Sequence, residues 1–386
     1  MREFDVLVIG GGIAGLSAAA RLTRHARVCV LEGEAALGFH ASGRSAAFAH
    51  FSMDDELVRR LTAASMPCFR QPPMDDRTPP ARTHPAMFVA RGEEIGALEA
   101  HEDIHRRLAP GYRRLSSAEA QEIVPVLRAD AVAGALLDPN AMKLDSDAML
   151  QGNRRDLAAA GGELVLGARV EALGRDGGGG GVGGGGSGGG RWIAQTAAGN
   201  FAAPVLINAA GAWGDALARL AGLRPLGLTP LRRTVITFDA PEGHETANWP
   251  FTKTVGQGFY FEPEGAGRLL ACPMDETASE PCDAQPEEED IALAAWRIEQ
   301  ATTMQVLRMA SKWAGLRTFA RDRLPVAGFA SDAPGFFWLA GQGGFGLQTS
   351  PAMALAVEAL VTGGDWPEEL AERGVTAEDL SPARLR

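Results

Sequence analysis

Gly10, Gly12 and Gly15 stand at GxGxxG spacing in FDVLVIGGGIAGLSAAARL, and Glu32 follows 22 residues after Gly10. That pattern can hold a dinucleotide. A glycine at 10 permits a tight turn, one at 12 lets backbone approach a pyrophosphate, and one at 15 lets helix pack closely on strand. The amides opening that helix meet phosphate charge with the positive end of the helix dipole. Glu32 closes the apolar run VCVL, where a carboxylate can accept from ribose hydroxyls. Positioning these groups requires a strand from Phe4, a helix and a second strand, a βαβ unit over residues 4–32.

At 386 residues the chain can hold two domains with cores of their own. Its net charge of −11 and scattered basic residues argue against nucleic acid or an anionic membrane as partner. The apolar stretch from Val6 to Ala20 is short and broken by four glycines, so it predicts no membrane span. A strand beginning by Phe4 leaves no room for a charged leader, so a cytoplasmic protein is expected. Cys29, Cys68, Cys272 and Cys282 show no CxxC and no ligand spacing with histidine. The expectation is therefore no metal centre. Cys29 falls inside the second strand as core; Cys272 and Cys282 could pair, but free thiols are expected.

Further along, residues 54–70 carry a helical pattern with Leu57, Leu61 and Ala64 on one face. The proline-rich segment 71–85 marks a crossing into another region. A strand is expected at 87–90, and helices at 92–108, 117–123 and 148–160. Residues 163–175 alternate like the edge of a strand pair. Between 177 and 190 there are 12 glycines in 14 residues, which predicts a disordered hairpin tip. Strands follow at 192–196, 204–211, 231–238, 258–263 and 268–273, the last three in antiparallel style. Residues 286–309 predict one long helix, opened by Pro286 and the acids Glu287 to Asp290, which suit its N-terminal dipole. FFWLAGQGGFGLQTSPAMALAVEAL (336–360) repeats the strand, glycine turn and helix of the N-terminus with different spacing.

The segments HASGRSAA (40–47), NAAGAWGDALARLAG (208–222), WAGLRTF (313–319) and AGQGGFGLQTS (340–350), with the N-terminal fingerprint, resemble the amino-acid oxidase superfamily of FAD enzymes. Within it the motifs are most similar to the FAD-dependent D-amino-acid dehydrogenases of the D-arginine dehydrogenase type. The resemblance covers nearly the whole chain in order, including TAAS (62–65), EIVPVLR (122–128) and RPLGL (224–228). It is the resemblance that selects FAD over NAD. It implies an α/β fold: a discontinuous FAD-binding domain of the glutathione-reductase type, over 1–76, 141–222 and 317–386. A mixed-sheet α+β substrate-binding domain would occupy 77–140 and 223–316, with the flavin ring between the two.

By position, the resemblance implies that Gly12, Ile13, Ala14 and Glu32 hold the adenosine diphosphate half. Arg44, Ser45 and Ala46 would lie along pyrophosphate and flavin, and Val170 would meet the adenine through backbone. Ala210, Gly211 and Trp213 belong to the same set. Gly344, Phe345, Gly346, Leu347, Gln348 and Thr349 would bring amides and a helix N-terminus to the flavin's pyrimidine end, where negative charge forms on reduction. The stretch carrying a flavin-linking cysteine in the sarcosine-oxidase branch is Thr318, Phe319 and Ala320 here, so non-covalent FAD is expected.

For catalysis the resemblance implies a carboxylate clamp of Arg233, Tyr260 and Arg317, since guanidinium forks bind carboxylates bidentately. Gln348 and the carbonyl of Gly315 would orient the amine, and His50 would either tune the amine's proton or pack. The substrate pocket departs from the arginine-specific type. Ala86 stands where that type carries a carboxylate for a distal cation, and Lys253 replaces an apolar residue. Phe48 replaces a loop histidine, Met53 replaces a clamp tyrosine, and Phe251 adds apolar surface. The implied activity is oxidative deamination of a D-amino acid with a neutral or acidic side chain, by hydride transfer from Cα to flavin N5. The imino acid would hydrolyse to a 2-oxo acid and ammonia. Oxidation of a 2-hydroxy acid such as 2-hydroxyglutarate, oxidation of a secondary amine such as sarcosine, and a non-catalytic flavoprotein subunit stay open. So does the electron acceptor: oxygen, a quinone or a protein.

Overall fold

A computed structural model of the chain describes residues 1–71, 77–176, 190–265 and 267–385. Val6–Ile9 and Val28–Leu31 are buried apolar strands, as parallel strands covered on both faces must be. They sit in a sheet ordered Glu163–Val165, Val28–Leu31, Val6–Ile9, Val205–Asn208, Phe336–Ala340 and Val326–Phe329. Every neighbouring pair is parallel except the last. Alternation of side chains divides its core in two. Val8, Val30, Ile207 and Phe337 pack under the helices Ile13–Leu22, Glu56–Arg70, Ser146–Ala159 and Gly346–Thr362. Leu7, Cys29, Leu206 and Trp338 face the other way, against Trp192 and Phe201 of a smaller sheet.

A second, mixed sheet carries the other half of the chemistry. Its order is Thr277–Ala278, Thr229–Asp239, Arg268–Cys272, Tyr260–Pro263, Phe251–Thr254, Ala86–Ala90, Gly134–Asp138 and Arg113–Ser116. The strand Met309–Phe319 pairs antiparallel with Thr229–Asp239 along its whole length. Phe251–Thr254 and Ala86–Ala90 run parallel, whereas the other pairs are antiparallel. This is the mixed-sheet α/β architecture the motifs imply.

Two expectations need correction. The helix at 286–309 spans only Glu288–Ala301. Tertiary pairing ends it: the Arg128 amide donates to the Ala301 carbonyl, the Thr303 amide to that of Val126, and Thr302 bridges Leu127. Residues 163–175 do not form one strand-pair edge. Glu163–Val165 joins the parallel sheet beside Val28–Leu31, and Val170–Arg175 joins the smaller sheet beside Trp192–Thr196. Gly167, at φ +64°, makes the turn between them. The glycine tract, apart from Gly190, lies outside the described residues. All four cysteines are free thiols. Among the described residues no helix is long and apolar enough to cross a membrane.

Candidate active site

The N-terminal turn explains its glycines one by one. Gly10 has φ +114°, and a side chain there would overlap the Ala209 carbonyl. A side chain at Gly15 would overlap the Gly10 carbonyl, so the helix reaches the strand only with glycine present. At Gly12 a methyl group would meet only the Ser42 hydroxyl, at 3.3 Å; that side is the open one. Glu32 accepts from the Gly11 amide at 2.6 Å and the Glu34 amide at 2.8 Å, which fixes its carboxylate at the strand end. Ser42 was not singled out from the sequence, although it lies in HASGRSAA. Its Oγ accepts from the Ile13 amide at 3.0 Å, leaving its own proton for an anion at the helix N-terminus.

From this turn a cavity of about 440 Å³ runs to the mixed sheet. Its wall includes Gly10, Gly12, Ile13, Ala14 and Glu32, then Val170, Ala210, Gly211 and Trp213, and ends at Arg233, Tyr260, Gly315, Arg317, Gly344, Gly346 and Leu347. The wall thus joins residues from both ends of the chain. Arg44, Ser45 and Ala46 also line it. The Arg44 guanidinium, however, is spent on protein: it donates to the carbonyls of Phe39, Ala284 and Ala314 and to Asp283. It pins the loop to the strand Met309–Phe319 and offers the cavity only its stem and backbone.

The mixed sheet presents one row of side chains across its strands. Register places Trp313 opposite Val235, Tyr260 opposite Cys272 and Lys253, and Lys253 beside Phe88. Arg317 has no hydrogen-bond or ion-pair partner among the described residues. A methyl group on Gly344 would come within 2.5–2.8 Å of the Arg317 guanidinium, so the glycine turn leaves the room that guanidinium occupies. Burial and the neighbouring Arg233 lower Arg317 to about 10, which keeps it protonated at neutral pH. Arg233 donates to the Asp275 carbonyl at 2.6 Å and to Glu276 at 3.1 Å, so its charge is already offset. Burial holds the Tyr260 phenol well above its usual value, as a neutral O–H.

The expected pocket residues Phe48, His50, Met53, Ala86, Phe251 and Lys253 lie behind these groups and not on the cavity wall. Phe48 stacks on Phe251 at 4.5 Å, and Phe251 meets Tyr260 at 5.2 Å and His50 at 5.7 Å between ring centroids. His50 Nδ1 accepts from the Ser52 amide at 3.1 Å, so the neutral ring carries its proton on Nε2. Burial and the charge of Lys253 hold that ring neutral. Lys253 donates to the Thr254 carbonyl at 2.9 Å, and burial, with Arg233 and Arg317, pushes it down to about 8. Ala86 is fully buried beside Phe251. Asp138 stands opposite Ala86 in the next strand, but it accepts from the Asn140 amide within its own turn and is absent from the cavity wall.

Other expected positions fall elsewhere. The Gln348 side chain, proposed to orient an amine, lies between helices, donating to Thr62 Oγ1 at 3.0 Å and facing the Met53 sulfur at 3.5 Å. Met53 is buried there with it. Thr349 is buried and donates to the Phe345 carbonyl, and neither residue lines the cavity. Their part is to shape the helix start whose free amides belong to Gly346 and Leu347. A second residue was missed besides Ser42. Gln342, on the wall, has a buried Nε2 with no partner among the described residues.

A sequence model described as FAD-dependent oxidoreductase (DAO) matches residues 5–360. The chain belongs to this family. The glycine oxidase of Geobacillus kaustophilus is 26% identical over 403 residues, covering 99% of this chain and 97% of that one. Among solved structures, L-proline dehydrogenase from P. horikoshii superposes with a TM-score of 0.82 at 19% identity, covering 99% and 98%. L-α-glycerophosphate oxidase from Mycoplasma pneumoniae, with FAD bound, gives 0.79 at 18% identity, covering 94% and 95%. The fold and the FAD cofactor follow from family membership; the narrower likeness to D-arginine dehydrogenases rests on the motifs alone.

The residues present fit FAD. The glycine cradle, Glu32 and Ser42 line one end of the cavity, where they would meet the adenosine diphosphate half, and Gly346 and Leu347 line the other. The orphaned Gln342 donor calls for an acceptor there, which a polar atom of bound FAD would supply.

Proposed function

We propose that this FAD-dependent oxidoreductase oxidises the α-carbon of a D-amino acid with a neutral or acidic side chain, releasing a 2-oxo acid and ammonia. The observation that carries this reading is Arg317, a guanidinium held at the end of the cofactor cavity with no protein anion to bind. A substrate carboxylate completes it, with Tyr260 donating a second hydrogen bond. Bound FAD supplies the hydride acceptor. The protein must then deliver a neutral amine, because an ammonium has no lone pair to support hydride loss. Arg317 and Lys253 favour that form, since positive charges nearby lower the pKa of an ammonium. His50 keeps its proton on Nε2 and stacks on Phe251 off the cavity wall, so it does not take the amine's proton. Phe48 and Phe251 stack behind Tyr260 and back the site with apolar surface. The imino acid then hydrolyses with one water.

The D-configuration rests on the motif resemblance. Comparing anaerobic flavin bleaching by D-arginine, D-leucine and D-glutamate tests the side-chain preference; D-arginine reacting fastest contradicts it. Oxidation of a 2-hydroxy acid is the second reading, favoured by Lys253 and Arg317 together, which suit a dicarboxylate without requiring an amine. Ammonia release on turnover separates the two.

A further inference from the structure

Two cations near the substrate end of the cavity make no ion pair among the described residues: Arg317 on its wall, and Lys253 off the wall, on the strand next to Tyr260. Arg233 is offset by Asp275 and Glu276, and Glu276 is shared with Arg323. Arg317 has no partner among the described residues. Lys253 makes one hydrogen bond, to the Thr254 carbonyl, although an ammonium has three donors. The carboxylates nearest Lys253 leave it unpaired: Glu94 is bonded to Arg91, and Asp54 is exposed. Neither is within ion-pair distance of it. An uncompensated buried charge is costly, and the cost falls when a ligand of opposite sign arrives. One substrate carboxylate satisfies Arg317 and leaves Lys253 as it was.

We infer that the substrate is a dicarboxylate, a short acidic amino acid whose second carboxylate is received by Lys253. The inference deepens the proposed function and rests on that reading of the site. Register supports it: Lys253 faces Tyr260 in the next strand, so the two groups stand about 5 Å apart at their Cβ atoms. Phe251, two residues earlier on the same face, and Phe48 form an apolar wall for the methylenes between the two carboxylates. With its amine neutral, such a substrate carries two negative charges, matching the two unpaired cations.

Titration of the holoenzyme's flavin absorbance with glutarate and with valerate tests this, since neither has an amine to oxidise. Wild type is expected to bind glutarate at least tenfold more tightly than valerate at pH 7. Lys253→Met should reduce that preference at least tenfold, and Lys253→Arg should keep most of it. Equal binding of the two acids by wild type overturns the inference, whether or not the variants fold; so does a preference that survives in Lys253→Met. The two readings fail separately. Preferential glutarate binding without bleaching by any amino acid sinks the oxidation reading and supports the dicarboxylate site. Bleaching by D-leucine with equal glutarate and valerate binding does the reverse.

Discussion

Arg317 and Lys253 share an environment that most proteins avoid, a half-buried positive charge with no ion-paired acid among the described residues. For Arg317 the consequence is affinity. Replacing it with Met removes a charge-assisted contact of about 1.5–3 kcal/mol, so the Kd of an amino-acid substrate should rise roughly 10–150-fold. Anaerobic flavin reduction at increasing substrate concentration measures it. Gly344→Ala should weaken binding by a similar route without touching the arginine's own chemistry. The new methyl group takes the space of the guanidinium, which must swing aside. Thermal stability should change little, because the displaced atoms end a flexible side chain; a variant with unaltered substrate affinity would show that Arg317 does not work from that position. Lys253 adds a pH signature. Burial and the charges of Arg233 and Arg317 lower it to about 8, while Asp54 and Glu94 oppose the shift. Its protonated form binds the second carboxylate, so affinity for glutarate should be full below about pH 8. Above that value it should fall by up to about tenfold per pH unit, whereas valerate should respond far less over pH 7–9.

At the scale of elements, the two ends of the chain were the most legible in the sequence. A glycine turn states its own geometry: Gly10 must adopt positive φ, and Gly15 must lack a side chain for the helix to touch the strand. The same geometry separates two superficially equal substitutions. Gly15→Ala should destabilise the apoprotein itself, because its methyl group overlaps the Gly10 carbonyl. Gly12→Ala should fold normally and lose FAD affinity, since the methyl group enters open cavity beside Ser42. Melting temperature and flavin content, measured on both variants, distinguish these outcomes. Elements fixed by distant partners were less legible. Nothing local in 286–309 shows that residues 126–128 capture the backbone after Ala301 and stop the helix. Nothing local in 163–175 shows that its halves belong to different sheets.

At the scale of the whole molecule, the cavity is built by joining distant segments, and that limits what residue types alone reveal. Family motifs singled out Arg233, Tyr260 and Arg317, and all three line the cavity. They did not show that Arg233 is already neutralised, that Arg44 is committed to backbone carbonyls, or that the Gln348 side chain turns into the helix interface. Apart from the Phe39 carbonyl beside Arg44, those facts depend on partners 42 to 295 residues away in sequence. Gln342 and Ser42 were missed for the same reason, since a buried orphan donor and a hydroxyl over a helix terminus exist only once the sheets and helices have met. In the proposed function this assembled cavity holds FAD and presents an amino acid to it. Anaerobic mixing of the holoenzyme with both enantiomers of a broad amino-acid panel is the decisive experiment. D-amino acids with acidic or neutral side chains should bleach the flavin, with one ammonia released per flavin reduced. Flavin that stays oxidised with every amino acid, or bleaches without ammonia appearing, would contradict this reading.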